Sequence, residues 1–170
     1  MKIRDRIKEL RRVKAANLVP NPRNWRTHPQ AQQDALRGLL AEVGYADALL
    51  VREDADGRLV LIDGHLRAET TPEQKVPVLV LDVTEEEADK LLVSLDPLAA
   101  MAEASQQRLG ELLAATSTKS EAVQAMLDDL AAKNGVDLFQ AGGIPEDNKD
   151  IDEGAMAETE NECPKCGFKW

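Results

Sequence analysis

The residues best placed to do chemistry sit in one short run, Leu59-Val60-Leu61-Ile62-Asp63-Gly64-His65-Leu66-Arg67-Ala68-Glu69. It reads as a strand passing through a glycine turn straight into a helix. Gly64 lets backbone come close to a ligand, and a helix start offers unpaired N–H groups and the positive end of a dipole. Arg67 falls in the first helical turn, where its guanidinium can hold two phosphate oxygens at once. His65 adds a donor, or a group that titrates near neutral pH. Asp63 and Glu69 are the nearest carboxylates. Either could help hold magnesium or act as a base, and either could simply orient Arg67. Together these residues describe an anion site suited to a nucleotide. A plain turn, with Arg67 paired to a neighbouring carboxylate, uses the same residue types.

A second cluster lies near the C-terminus, in Cys163-Pro164-Lys165-Cys166-Gly167. Two thiolates at this spacing form half of a tetrahedral zinc site. The chain holds no further cysteine, so a zinc bound by Cys163 and Cys166 would be shared between two chains. The other reading is a free thiol pair. His28 and Trp25 stand in a third stretch, Trp25-Arg26-Thr27-His28-Pro29, ahead of a helix. His28 could touch a base or phosphate, or cap and pack. Trp25 could stack on a base or plug the edge of the core, and the core is the expectation.

The elements that must position these groups follow from hydrophobic periodicity. Ile3, Ile7 and Leu10 recur at helical spacing and predict a short basic helix over residues 1–12. A strand is expected over 13–19, ended by Pro20-Asn21-Pro22, since proline cannot join a ladder. Ala35, Leu36, Leu39, Leu40 and Val43 share one face of a helix from Gln30, with Gly44 as its C-cap. Strands over 49–52 and 58–62 flank the turn Asp54-Ala55-Asp56-Gly57. A short helix runs from His65 toward Pro72, and Val76, Val78 and Val80 alternate in a strand over 76–83. Thr84-Glu85-Glu86-Glu87 is a capping box that starts a helix at Glu85. That helix should end near Leu95, and a new one should begin at Asp96-Pro97. Residues 105–114 and 119–132 predict two more helices.

Composition limits the partners. Only five residues are aromatic, so the core is built from Leu, Val, Ile and Ala. No apolar run reaches the length of about 18 residues that a membrane span needs. The charged start lacks the apolar stretch of a secretory signal, and a cytoplasmic, reducing setting is expected. The net charge of −10 is unevenly spread: residues 1–37 hold ten Lys and Arg against three Asp and Glu, the rest 11 against 28. A basic end can reach toward phosphates or be a solvated face. Residues 144–162 carry eight acidic groups against one lysine and little apolar periodicity, which predicts a disordered acidic tail.

Four pieces occur in a telling order: Leu18-Val19-Pro20-Asn21-Pro22-Arg23-Asn24, then Ala48-Leu49-Leu50-Val51, then Gly64-His65-Leu66-Arg67, then Lys75-Val76-Pro77-Val78. This order resembles the N-terminal domain of the ParB family, which shares its fold with sulfiredoxin. It is most similar to short ParB-like proteins of phages and mobile elements. The resemblance covers about half of the chain and implies an α/β fold, a small mixed sheet with helices. It implies a nucleotide-binding domain at 13–100; periodicity and charge add a basic helix at 1–12, a helical appendage at 101–135 and an acidic flexible tail with the Cys-x-x-Cys pair at 136–170. Asn21, with Arg23 or Arg26, would face the nucleotide, and Gly64, His65, Leu66 and Arg67 would hold its phosphates. The implied ligand is a nucleoside triphosphate, CTP or ATP, with magnesium.

Two departures from the family pattern matter. Partition-type members place a glutamate and a second arginine, used with CTP, where this chain has His65 and Leu66, a departure that bears on CTP hydrolysis and clamp closure. Sulfiredoxins place a cysteine before a histidine–arginine pair. Gly64 precedes the histidine here, which argues against sulfinic acid reduction. Partition proteins also carry a DNA-reading helix-turn-helix next. Residues 105–132 offer only Arg108 and Lys119 against Glu111, Glu121, Asp128 and Asp129. These helices are therefore read as packing or dimerising elements. The expected function is a nucleotide-binding module in DNA-associated biology, touching DNA weakly or acting with a DNA-modifying protein, and able to form a homodimer. The alternatives are an enzyme on the same pocket (nuclease, NTPase or small-molecule kinase), with Asp63, His65 and Glu69 as its catalytic groups, and a structural adaptor.

Overall fold

The structure, a computed structural model, describes residues 3–137. The Cys163/Cys166 pair and the acidic tail lie outside the described residues. Four strands form one mixed sheet: β1 (Ile7–Lys14), β2 (Leu49–Glu53), β3 (Leu59–Asp63) and β4 (Lys75–Leu81), in the order β1-β4-β2-β3. β1 runs antiparallel to β4, β4 parallel to β2, and β2 antiparallel to β3. Five helices accompany them among the described residues: α1 (Gln30–Glu42), α2 (His65–Thr70), α3 (Glu85–Ala100), α4 (Gln106–Ala115) and α5 (Glu121–Lys133). This is the small mixed sheet with helices that the sequence implies.

The core is aliphatic, as the scarcity of aromatics requires. Leu49, Val51, Val76, Val78 and Val80 have no exposed surface. The alternation of β2 and β4 puts these side chains on one side of the sheet, where they meet Leu61, Ala68, Ala15 and Leu18. Fully burying a Val or Leu contributes about 1.5–3 kcal/mol, so this layer dominates the stability of the sheet.

Three expectations about elements need correction. Residues 7–12 belong to a strand, because antiparallel pairing with β4 supplies Ile7–Lys14 with backbone partners that isolated amphipathic spacing cannot anticipate. That strand stops at Lys14 instead of reaching Val19. A 3-10 turn follows at Ala15–Asn17, and Val19 makes only a short parallel bridge to Val60. Helix α3 also runs unbroken through Pro97. A proline in the last turn forfeits one helical hydrogen bond but leaves the rest of the ladder intact.

The start of α3 forms as expected. Thr84 Oγ1 accepts from the Glu87 N–H, and Glu87 Oε2 accepts from the Thr84 N–H at 2.9 Å. Arg6, just before β1, adds a fork onto the same carboxylate at 2.9 and 2.7 Å. Hydrogen bonding from Arg6, then from the Thr84 amide, lowers the Glu87 pKa to about 2. The Asp54–Gly57 turn closes by a Gly57 N–H to Asp54 carbonyl bond of 3.0 Å. Among the described residues no helix is long and apolar enough to cross a membrane.

Candidate functional site

A cleft of about 430 Å³ opens between α1, the start of α2 and α3. Its apolar wall comes from Leu36, Leu39, Leu40 and Val43 of α1 and Leu91, Leu92 and Leu95 of α3. Ile62 lines it too, on the opposite side of the pleated β3 strand from Leu61. Its polar end holds Arg26, Asp63, His65 and Arg67. An apolar wall faces a few convergent polar groups, and the volume falls within the range of small-molecule sites.

Gly64 sits at the hinge between β3 and α2 with φ of +92°. That conformation suits glycine and strains any other residue. A Cβ here would lie 2.5 Å from Leu49 Cγ. From the sequence, Gly64 is expected to leave a path for a phosphate. The structure gives it a different first duty, because the space a side chain would need is filled by the core.

Arg67 lies four residues after Asp63, across the turn. Its Nη2 donates to Asp63 Oδ2 at 2.9 Å, and its Nη1 donates to Asp47 Oδ2 at 2.5 Å. The side chain is only 16% exposed, so it is held at the cleft wall rather than trailing in solvent. Asp47 comes from the loop between α1 and β2, and its hydrogen bond from Arg67 holds its carboxyl below the usual carboxylate range. α2 is a helix of six residues, too short for its dipole to dominate. The guanidinium is the main positive group on this wall.

His65 is buried. Its Nε2 accepts from the backbone N–H of Asn21 at 3.2 Å, so this ring nitrogen is unprotonated. Burial pushes the imidazole below the ordinary histidine value of 6.5, against the upward pull of Glu69 and Asp63. The contact ties the Pro20–Pro22 loop to the start of α2. Asn21 itself is buried and accepts from the Arg23 N–H through Oδ1 at 2.9 Å. Arg23 pairs with Asp89 and Arg26 with Asp96, both on α3. Two arginines therefore strap the loop across to the helix that closes the cleft.

Of the residues singled out from sequence, the cleft gathers Arg26, Asp63, Gly64, His65, Leu66 and Arg67. Asn21, Arg23 and Glu69 do not line it. Asn21 and Arg23 shape and anchor the loop, and Glu69 is exposed on α2. Trp25 was expected in the core, yet it is 58% exposed. Its ring faces the Arg26 guanidinium at 4.9 Å, a cation–π contact that needs no burial. His28 Nδ1 bonds Gln32 Oε1 at 3.2 Å, and both residues line the cleft. Sequence reasoning missed Tyr45, Asp47 and Asp96. Asp47 carries no local signal, because it meets Arg67 only through the fold. Among the described residues no group of three or more His, Cys, Asp or Glu is placed to hold a metal ion.

The sheet order, the strand–glycine–helix hinge and the loop strapped over it define a ParB-like α/β fold. The chain matches no family model and no curated protein sequence. Among solved structures it is similar to the C-terminally truncated chromosome-partitioning protein ParB from Caulobacter crescentus complexed with CTP-gamma-S. The TM-score is 0.54 at 15% identity, over 79% of this chain and 77% of that one. The same truncated protein complexed to the centromeric parS site matches at 0.41 and 14%, over 78% and 70%. A Pnob8-like ParB-N domain matches at 0.40 and 15%, over 76% and 52%. At these identities the likeness is one of fold.

Proposed function

We propose that this chain is a nucleotide-binding module, and that the cleft takes a nucleoside triphosphate such as CTP or ATP. The observation that carries the proposal is Arg67, held at the wall of a 430 Å³ cleft whose other side is a continuous aliphatic surface. A base and ribose find apolar contact along α1 and α3, while the phosphates reach Arg67 and Arg26. A ParB of the same fold has been captured with CTP-gamma-S, which supports this class of ligand. Magnesium would arrive with the triphosphate, since that ion is usually held by phosphates with one or two carboxylates. A binding role suits the geometry better than turnover. His65 Nε2 is engaged by Asn21, Asp63 is tied to Arg67, and Glu69 does not line the cleft.

The setting proposed is DNA-associated, with weak, sequence-independent contact to duplex DNA or a DNA-modifying protein as partner. Several basic side chains of and beside β1 are paired: Lys8 and Arg11 with Glu53, Arg6 with Glu87, and Lys14 with Glu73. Each pair is itself weak, but the acidic partners lower the net positive charge from which DNA affinity arises. Sequence-dependent nanomolar affinity at physiological salt would contradict it.

The test is a thermal-shift panel of CTP, ATP, GTP and UTP with and without magnesium. At least one nucleotide should raise the Tm of the parent, since ligand bound only by the folded state stabilises it. Arg67→Ala should weaken binding roughly 10- to 150-fold, because a charge-assisted hydrogen bond is worth about 1.5–3 kcal/mol. Arg67→Lys, which keeps the charge but loses the fork, should fall between. No shift with any nucleotide overturns the proposal.

A further inference from the structure

Arg67 meets the cleft with both of its terminal nitrogens already occupied, and the two carboxylates that occupy them are not equivalent. Asp63 ends β3, its backbone paired with Leu50, and the turn that creates the site also sets its position. Its side chain is 37% exposed. Asp47 belongs to a loop 20 residues away in sequence and is 77% exposed. Apart from Arg67, its carboxylate contacts only the following amide, Ala48 N–H, at 2.7 Å. The Asp47 side chain is otherwise largely open to solvent.

The backbone that carries Asp47 is anchored independently. Tyr45 Oη bonds Thr71 Oγ1 at the end of α2, and Leu49 is fully buried at the start of β2. The side chain can therefore leave Arg67 by turning about its own bonds, with the loop unmoved. One Asp47 oxygen lies 2.5 Å from Nη1, where an oxygen of a bound phosphate would make its charge-assisted bond. We propose that Asp47 is a built-in stand-in for the ligand's anion. It covers Arg67 while the cleft is empty and competes with phosphate for the same guanidinium edge. The inference rests on the nucleotide reading and concerns what sets affinity and charge selectivity at that site.

An exposed ion pair is weak in water, so a polyphosphate with several charges displaces Asp47, and a singly charged anion does so poorly. Removing the carboxylate should leave the fold intact, since that side chain is mostly solvent-exposed. It should also remove a fixed negative charge beside the incoming phosphate.

The experiment is calorimetric titration of the full chain at fixed ionic strength, with pyrophosphate and separately with CTP and ATP. The proteins are the parent, Asp47→Asn, Arg67→Ala and the double variant, each checked for folding by circular dichroism. Asp47→Asn should bind pyrophosphate about three- to tenfold more tightly than the parent, the scale of losing one weak competing pair. The double variant should lose that gain. Equal or weaker binding by Asp47→Asn overturns the inference, because Asp47 would then be orienting Arg67 or holding a cation. If nucleotides bind and Arg67→Ala abolishes this while Asp47→Asn leaves it unchanged, the nucleotide reading stands and this one falls. Tighter pyrophosphate binding without any nucleotide binding supports competition by Asp47 and removes the nucleotide reading. Failure of every variant to bind any of the anions removes both.

Discussion

The sheet with its cleft and the α4–α5 pair are held together by different physics. In the sheet, five Val and Leu side chains are wholly buried, and the hinge glycine touches that layer. In α4 and α5, only Gly110, Val123 and Ala131 are buried, while Leu112, Met126 and Leu130 remain exposed. What fastens the pair to the rest is the packing of α5 along one helix, α1. α5 lies on α1 where Gly38 has no side chain, and Glu42 Oε1 accepts from Thr118 Oγ1, Lys119 N and Ser120 N at 2.8, 2.7 and 3.1 Å. Ser120 in turn caps α5. A unit stabilised by a continuous buried layer should unfold as one, whereas a helix pair packed on a single helix, with little buried apolar surface of its own, can detach alone. α1 stands between them, with residues in both the cleft wall and the α5 contact.

The strongest challenge to the sheet is Gly64→Val. A Cβ would stand 2.5 Å from Leu49 Cγ in a left-handed conformation, so overpacking and backbone strain add to on the order of 3 kcal/mol or more. Urea unfolding should show a large drop in midpoint or no folded state. A near-parental midpoint would mean that the hinge has slack.

Gly38→Leu sets the two regions directly against each other. The new Cβ would run into Ser120 Oγ and fall 2.9 Å from Val123 Cγ2, a clash that costs about 1–3 kcal/mol. Hydrogen exchange should speed up in 106–133 while β2 and β4 keep their protection. Uniform loss across the sheet would show that the appendage is part of one cooperative core.

The next effect is a pH dependence seated in the sheet unit. His65 has its pKa lowered by burial, so the unfolded chain binds its proton first as pH falls. Stability from neutral His65 is present above 6.5 and lost as pH drops from there toward the lowered folded value. Thermal melts across this range should show a slope that His65→Gln flattens. A slope unchanged by the substitution would place the titrating group elsewhere.

The smallest effect belongs to Glu42. Hydrogen bonds from the Thr118 hydroxyl, then the Lys119 amide, lower its pKa beneath 4.5. Its contribution is present above that value and fades as pH falls through the lowered one. Glu42→Gln should speed exchange at the start of α5 slightly and leave the sheet untouched. An effect as large as that of Gly38→Leu would make the carboxylate, not the close approach, the main fastening.

How much was legible varies with the range of the interactions involved. The capping box at Thr84–Glu87 and the Asp54–Gly57 turn are settled by residues a few positions apart, and they appear as expected. The candidate site was half legible. The strand–glycine–helix run delivers Gly64, His65, Leu66 and Arg67 to one wall, because a contiguous segment fixes their relative places. Asn21, Arg23 and Glu69 are expected at the cleft and do not line it: the direction of a loop side chain depends on what it packs against, and Glu69 falls on the exposed face of α2.

The sequence by itself determined the strong alternation of β4, the amphipathic α1 and the hinge at Gly64, because periodicity and glycine chemistry act within a few residues. Only the tertiary structure decided that residues 7–12 are a strand, since their backbone groups find partners solely in β4. It alone brought Asp47 to Arg67, Asp96 to Arg26 and Glu42 to Ser120. Charge and hydrogen-bond contacts between residues far apart in the chain leave no trace in sequence spacing, so these partners come into view only when the chain is folded.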